Sequence, residues 1–210
     1  MNIAVIGSGW VGGTLGKRWA QKGHQVVFGS RDPASEKVQA VLAEAGENAS
    51  ATSIAEAAQG ADVVLLATPW NAAEETLQLA GNLEGKVLVD CINPLNDSFS
   101  GLDLGFTESA TEHVSKWSPG ARVVKAFNTL SAASMADPIY GEQKATAFYC
   151  GDDAEAKKTV HQLAEELDME PVDAGPMENA RYLEPLAMLY IHLAVREKWG
   201  SNCAFKILTR

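Results

Sequence analysis

The opening residues constrain the fold of this chain more than any other segment. Residues 3–6 are a short, continuously apolar run, and the hexapeptide Gly7-Ser8-Gly9-Trp10-Val11-Gly12 follows it directly. Such a run is typical of a strand buried on both faces, and residues 10–22 have the pattern of a helix that stops at Gly23. A G-x-G-x-x-G turn between a strand and a helix is the phosphate-binding turn of a dinucleotide-binding βαβ unit. The sequence therefore predicts such a unit at its N-terminal end.

Each glycine of the hexapeptide has its own predicted part in holding a pyrophosphate. Gly7 permits the tight turn, Gly9 lets the backbone approach the phosphates, and Gly12 allows the helix to pack closely on the strand. The amides around Trp10 and Val11 stand at the helix start, where the helix presents positive partial charge. The alternative is a glycine turn that binds no ligand.

The residues after the second predicted strand, 24–28, indicate which dinucleotide is bound. NAD sites usually place Asp or Glu here to hydrogen-bond the ribose hydroxyls, whereas this chain has Gly29-Ser30-Arg31. Gly29 leaves space, Ser30 can donate a hydrogen bond, and Arg31 can pair with a 2′-phosphate that a carboxylate would repel. The sequence therefore favours NADP(H), with Lys37 as a second cation.

The alternative makes Arg31 a surface charge and lets Asp32 hydrogen-bond the ribose. We assign Asp32 instead as the N-cap of a helix that has Pro33 at its first position.

The charge distribution fits an anionic ligand at this end of the chain. Residues 1–31 carry four basic and no acidic side chains, which leaves −14 for the remainder of a protein whose net charge is −10. Binding to nucleic acid is driven by clustered Lys and Arg, so the acidic remainder argues against it. Three widely spaced cysteines indicate neither a disulfide framework nor a metal site. We therefore expect a reduced, cytoplasmic setting. No apolar segment is long enough to cross a membrane.

Apolar runs alternate with helical patterns along the rest of the chain, which is typical of βαβ units and a parallel sheet. Further strands are predicted at residues 49–52, 63–67, 87–91, 122–126, 145–150 and 170–172. The predicted fold is α/β: a doubly wound, Rossmann-type NAD(P)-binding domain over residues 1–173, with a mainly parallel sheet. Residues 174–210 form a C-terminal helical segment that packs on this domain or on a partner subunit. Its helix is predicted over residues 179–199, and its apolar stripe would cover the substrate pocket or form the interface of a homodimer.

Polar turns after three later strands are expected to border the same crevice, because ligands of open α/β sheets bind beyond the carboxyl ends of the strands. Thr68-Pro69 follows the fourth strand, Asn93 the fifth and Asn128 the sixth. We predict contacts with the nicotinamide-side ribose and ring. Each of these residues is equally suited to cap a helix or form a turn.

Five segments carry a resemblance to a known family: NIAVIGSGWVGGTLGKRW, VVFGSRDP, LLATPW, RVVKAFNTL and VDAGPMENARYLEPLAMLYIHLA. Together they resemble the F420-dependent NADP oxidoreductase family, whose relatives include the cytosolic reductase domain of the six-transmembrane metalloreductases. The resemblance implies hydride exchange between a nicotinamide and a deazaflavin (coenzyme F420) or flavin docked against it. It also implies a set of NADP contacts: Gly7, Ser8, Gly9, Trp10, Val11, Gly12, Ser30, Arg31, Thr68 and Pro69.

The turn at residues 91–95 and the motif at 125–128 resemble a bacterial branch and the metalloreductase domains more than the archaeal deazaflavin enzymes. The acceptor is therefore predicted only as a small redox-active molecule, a deazaflavin or flavin. The alternatives are a reductase of another small substrate, such as an imine or ferric chelate, and a non-catalytic NADPH-binding sensor.

No catalytic side chain is assigned, since hydride transfer between two redox cofactors depends on their apposition more than on acid–base groups. The sequence does not decide whether His192, Lys125 or the C-terminal helix lines the substrate site. Glu184, just before Pro185, is expected to cap or pair within the final helix. No metal site is predicted.

Overall fold

An eight-stranded sheet forms the centre of the computed structural model, which describes residues 1–210. The strands of the chain are β1 (Asn2–Ile6), β2 (Gln25–Gly29), β3 (Ala49–Thr52), β4 (Val63–Leu66), β5 (Val87–Asp90), β6 (Arg122–Ala126), β7 (Ile139–Tyr140), β8 (Gln143–Lys144), β9 (Thr146–Gly151) and β10 (Glu170–Asp173). The helices are α1 (Trp10–Gln21), α2 (Glu36–Ala45), α3 (Ile54–Gly60), α4 (Ala73–Ala80), α5 (Ala110–Trp117), α6 (Ala132–Ala136), α7 (Ala154–Glu165) and α8 (Ala180–Ile191). None of these helices is both long and apolar enough to span a membrane.

The strand order of the sheet is β10-β9-β6-β5-β4-β1-β2-β3, and β7 and β8 form a separate hairpin. Every pair in the sheet is parallel except β6 and β9, which are antiparallel. The α/β fold with a mainly parallel, Rossmann-type sheet is thus confirmed. β1 lies between β2 and β4, so the order of the chain reverses there. This is the switch point outside whose carboxyl ends such sheets bind ligands.

The continuous apolar runs form strands because both faces of the sheet are covered by helices. All residues of β4 and β5 are buried, and separate hydrophobic clusters lie on the two faces. On one face the Trp19 ring packs edge-on against Phe127 at a centroid distance of 5.9 Å. The Trp19 indole Nε1 also donates to the Leu163 carbonyl oxygen at 3.1 Å, which joins α1 to α7. Burial of each large side chain of this kind stabilises the fold by about 2 kcal/mol.

The second helix begins three residues later than predicted. Asp32 does not cap it: Asp32 Oδ1 accepts from the Ala34 amide at 3.2 Å, and the Asp32 carbonyl accepts from the Ser35 hydroxyl at 2.8 Å. These bonds close a turn, so Ser35 takes the N-cap position and α2 begins at Glu36. The local hydrogen bonds of Asp and Ser compete with helix formation here.

The C-terminal helix is shorter than predicted. α8 ends at Ile191, and residues His192–Arg196 form a π-helical turn. Lys198 and Gly200 then have positive φ, which ends helical structure. The residues beyond turn back to β9, where the Thr146 amide donates to the Phe205 carbonyl oxygen at 3.0 Å. The division of the chain near residue 173 stays a prediction.

Candidate active site

A crevice of about 680 Å³ lies at the carboxyl ends of the central strands. It is bordered by the turns after β1, β2, β4 and β5 together with parts of α2, α3 and α4. Ten of the twelve residues predicted for the site line it: Gly7, Ser8, Gly9, Trp10, Val11, Ser30, Arg31, Thr68, Pro69 and Asn93. The topology therefore brings these residues to one place, while Gly12 and Asn128 lie behind the lining.

The glycine turn fits closely against the sheet and leaves room on its outer side. Gly7 has φ +110°, and a Cβ atom there would stand 2.4 Å from the Ala67 carbonyl oxygen. A Cβ atom on Gly12 would stand 1.9 Å from the Gly7 carbonyl oxygen, so Gly12 keeps α1 against the turn. At Gly9, by contrast, a Cβ atom would meet nothing within 4 Å. The turn is thus open where a pyrophosphate would approach the backbone.

The first turn of α1 offers its amides to this open space. It contains no acidic residue, and its N-cap, Gly9, has no side chain to bond the free amides. Unpaired amides at a helix start attract anions. The Trp10 side chain, 88% exposed, stands beside them at the rim of the crevice.

The end of the crevice beyond β2 is basic. Arg31 and Lys37 both line it. Arg31 is exposed and forms no salt bridge, whereas Arg18 and Arg181 are paired with protein carboxylates. The Asp32 carboxylate is held in its own turn by the Ala34 amide. A free guanidinium beside a serine suits a phosphate monoester.

The turns after β4 and β5 form the opposite end. The Thr68 hydroxyl oxygen is buried and has no hydrogen-bond partner in the chain. A buried hydroxyl without a partner is expected to bond a ligand or water. Together with the open glycine turn and the basic end, this orphaned group fits a phosphorylated dinucleotide lying along the crevice.

Asn93 and Asn128 are joined by reciprocal hydrogen bonds. Asn93 Nδ2 donates to the Asn128 carbonyl oxygen at 2.9 Å, and Asn128 Nδ2 donates to Asn93 Oδ1 at 3.0 Å. Asn128 Nδ2 also donates to the Leu183 carbonyl oxygen at 3.0 Å. Asn128 therefore supports the lining residue Asn93 from behind, with α8 as the second anchor.

Sequence reasoning missed a buried charge cluster beneath this end of the crevice. Lys125 Nζ lies 2.9 Å from Asp90 Oδ2 and 2.8 Å from Glu184 Oε1, and all three side chains are fully buried. Burial alone would lower the pKa of Lys125, but Asp90 and Glu184 outweigh it and raise that pKa, so the lysine is charged. The signal in the sequence is the presence of Asp90 and Lys125 inside or at the end of otherwise apolar runs.

No histidine lines the crevice. His24 bonds the N-terminal amine and Glu166, which gives it a structural role away from the crevice. His113 packs against the Trp70 and Trp117 rings. His192, half-exposed, lies 3.4 Å from Glu197 in the π-helical turn.

The doubly wound sheet, its glycine turn and the basic end of the crevice define a class of protein, the NADP-dependent oxidoreductases. Residues 2–94 match the model of the family described as NADP oxidoreductase, coenzyme F420-dependent. The chain belongs to the F420-dependent NADP oxidoreductase family, because full-length relatives confirm that match.

The relatives include archaeal and animal proteins. The F420-dependent NADP reductase of Methanothermobacter marburgensis is 32% identical over 94% of both chains. The metalloreductase STEAP3 of Rattus norvegicus is 34% identical over 89% of this chain, but the match spans 37% of that protein. A crystal structure from Arthrobacter sp. FB24, provisionally described as an F420-dependent NADP-reductase, is 34% identical over the full length of both chains with a TM-score of 0.91.

Proposed function

We propose that the protein transfers hydride between NADP(H) and a deazaflavin or flavin-type acceptor, with coenzyme F420 as the principal candidate. The observation that carries the proposal is the contrast between the two ends of the crevice. One end offers free cations for a 2′-phosphate, and the other offers no efficient proton donor. The titratable side chains that line the crevice are the cations Arg31 and Lys37, the Cys91 thiol, and Glu75, which is exposed on α4 and not part of the turns after β4 and β5. Burial raises the pKa of the Cys91 thiol well above its usual range, which makes it a poor acid.

The lack of an efficient proton donor at the nicotinamide end favours a substrate that does not need one from the protein. Reduction of a carbonyl or imine needs a proton placed beside the hydride acceptor. A deazaflavin or flavin accepts hydride on an extended ring system and can exchange its proton with solvent, so apposition of the two rings is sufficient. The names of the archaeal relatives support coenzyme F420.

The proposed roles of the residues follow from their positions. The amides at the start of α1 hold the pyrophosphate, and Gly9 leaves the room for it. Ser30 and Arg31 hold the 2′-phosphate, with Lys37 as the second cation. Thr68, Pro69 and Asn93 orient the nicotinamide end, while apolar side chains such as Ile92 and Leu95 exclude water there. When bound, the nicotinamide supplies the hydride chemistry.

The experiment offers coenzyme F420, FMN, FAD, a ferric chelate and a cyclic imine in turn to the protein with NADPH, and follows the loss of NADPH absorbance. We expect turnover with F420. Turnover with the imine or chelate alone would contradict the proposed acceptor class. NADPH binding without turnover of any acceptor would favour a sensor.

We also propose a cytoplasmic homodimer. The support for the compartment is that all three cysteines are unpaired, two of them buried. The support for the dimer is a row of exposed apolar side chains on α8 and the residues after it: Tyr182, Leu189, Val195 and Trp199. Light scattering on wild type and on Leu189→Glu tests the dimer. We expect the variant to be monomeric, and an unchanged mass would exclude this face.

A further inference from the structure

We infer that Asp90, Lys125 and Glu184 are positioning residues that fix the crevice turn at residues 91–95, and with it the nicotinamide end of the site. The inference rests on the proposed function for the identity of the ligand. It concerns what holds the lining in place, since none of the three side chains lines the crevice itself.

The cluster holds both polar backbone groups of one lining residue, Ile92. The Ile92 amide donates to Asp90 Oδ1 at 2.8 Å, and Lys125 Nζ donates to the Ile92 carbonyl oxygen. Ile92 is flanked by Cys91 and Asn93, and all three line the crevice. A residue whose amide and carbonyl are both bonded to buried charges has little freedom to move.

Glu184 completes the cluster from α8. Its carboxylate lies 2.8 Å from Lys125 Nζ and accepts from the Ala110 amide at 3.0 Å and the Thr111 amide at 3.3 Å, so it also caps α5. The Thr111 hydroxyl donates to Asp90 Oδ2 at 2.9 Å. The two carboxylates and the one ammonium of the cluster have a formal charge of −1. This charge faces the amides at the start of α5, where negative charge is favoured.

A second set of hydrogen bonds supports the same turn and ends on α8 next to Glu184. Asn93 is bonded to Asn128, and Asn128 donates to the carbonyl oxygen of Leu183, the residue before Glu184. Both supports thus end on two adjacent residues of α8. The C-terminal helix is in this way part of the site although it does not line the crevice.

Stability alone does not account for such a cluster. A buried ion pair is often no more stabilising than well-packed apolar side chains of the same volume. What apolar side chains could not supply is a donor for the Ile92 carbonyl and an acceptor for its amide. We therefore expect the cluster to matter for ligand geometry beyond its effect on folding.

The test uses the double variant Lys125→Met/Glu184→Gln. It removes the donor to the Ile92 carbonyl and keeps the formal charge of the cluster at −1, now on Asp90 alone. Wild type and variant are titrated calorimetrically with NADPH and with adenosine 2′,5′-bisphosphate, which lacks the nicotinamide half. The matched control is Arg181→Met, which removes another ion pair between α8 and α5, that of Arg181 with Glu112 at 2.6 Å.

The double variant is expected to bind NADPH roughly fivefold more weakly, as the loss of a hydrogen-bonded support implies, while its affinity for the bisphosphate is unchanged. The control should bind both ligands like wild type. If the double variant does not fold, Asp90→Leu, which removes the acceptor for the Ile92 amide and leaves Lys125 and Glu184 as a neutral pair, is expected to show the same selective loss.

Wild-type affinity for both ligands in a folded variant would overturn the inference and leave the cluster a purely structural role. An equal loss for both ligands would overturn it too. Failure of wild type to bind NADPH would instead contradict the proposed function.

Discussion

At the scale of single residues, the three glycines of one motif meet three different physical demands. Gly7 needs a positive φ, Gly12 stands where a Cβ atom would collide with backbone, and Gly9 has neither constraint. The fold itself does not require a glycine at position 9. In our account the requirement comes from the ligand, because a side chain there would keep the pyrophosphate from the backbone.

This difference predicts opposite outcomes for two matched substitutions. Gly12→Ala places a methyl group against the Gly7 carbonyl oxygen and should lower the free energy of unfolding by about 2 kcal/mol or more. Gly9→Ala should leave the Tm unchanged and weaken NADPH binding about tenfold, because the methyl group displaces phosphate from the amides. Thermal melts and NADPH titrations of both variants check this. A Gly9→Ala protein that binds NADPH like wild type would show that the turn does not hold the phosphates.

Arg31 carries the choice between the two dinucleotides. Arg31→Ala should raise the KM for NADPH severalfold and leave the KM for NADH nearly unchanged, since only NADPH has the 2′-phosphate. Lys158→Ala is the control, because Lys158 is an exposed cation on α7 outside the crevice. Equal effects of Arg31→Ala on both cofactors would contradict the assignment.

At the scale of elements, the eight strands of the main sheet were predictable, whereas the β7–β8 hairpin and some helix ends were not. The continuous apolar runs identify strands covered on both faces, and every predicted strand is present within a residue or two. The predicted start of α2 was wrong because the Asp32 carboxylate accepts from the Ala34 amide and the Ser35 hydroxyl donates to the Asp32 carbonyl oxygen, which closes a turn instead of a helix at Pro33. Those competing turns are equally compatible with the sequence, and packing decides between them.

The stability contributed by the ion pair between α8 and α5 should depend on pH. Arg181 contacts both carboxylate oxygens of Glu112 at 3.0 and 2.6 Å. Hydrogen bonding to Arg181 is the main cause of the lowered pKa of Glu112. A lowered carboxyl pKa stabilises the fold above the unfolded value of about 4.3, and that stability is lost as the pH falls through the folded value.

Arg181→Met should therefore lower the free energy of unfolding near neutral pH, by the small amount typical of a pair near the surface. The difference from wild type should vanish in acid, where Glu112 is protonated in both proteins. Urea unfolding at a series of pH values measures this. A difference that persists unchanged in acid would assign the loss to packing of the arginine stem.

At the scale of the whole molecule, the sequence predicts the parts of the site that are local turns and misses those that depend on strand register. Asp90 and Lys125 are neighbours only because β5 and β6 pair with those residues opposite each other. Glu184 was expected to pair within its own helix, but it reaches Lys125 because α8 packs over that edge. No local pattern specifies such a contact, although charges in apolar runs show that partners must exist.

The same packing bears on removal of the C-terminal segment. A chain ending before Asn179 lacks Glu184 and Leu183, so Lys125 and Asn128 lose partners in the interior. We expect this truncation to lower the Tm by several degrees or prevent folding. A truncated chain with the wild-type Tm would show that residues 179–210 are an independent appendage.

The most direct test of the central claim follows the hydride itself. Both hydrogens on the reactive carbon of the nicotinamide of NADPH are replaced by deuterium, the protein is given coenzyme F420 in a single turnover, and the reduced deazaflavin is analysed by mass spectrometry. Our account predicts deuterium on a ring carbon of the deazaflavin, because the two rings must lie against each other in the crevice. Reduced deazaflavin without deuterium, or deuterium retained in NADPH after prolonged incubation, would contradict it.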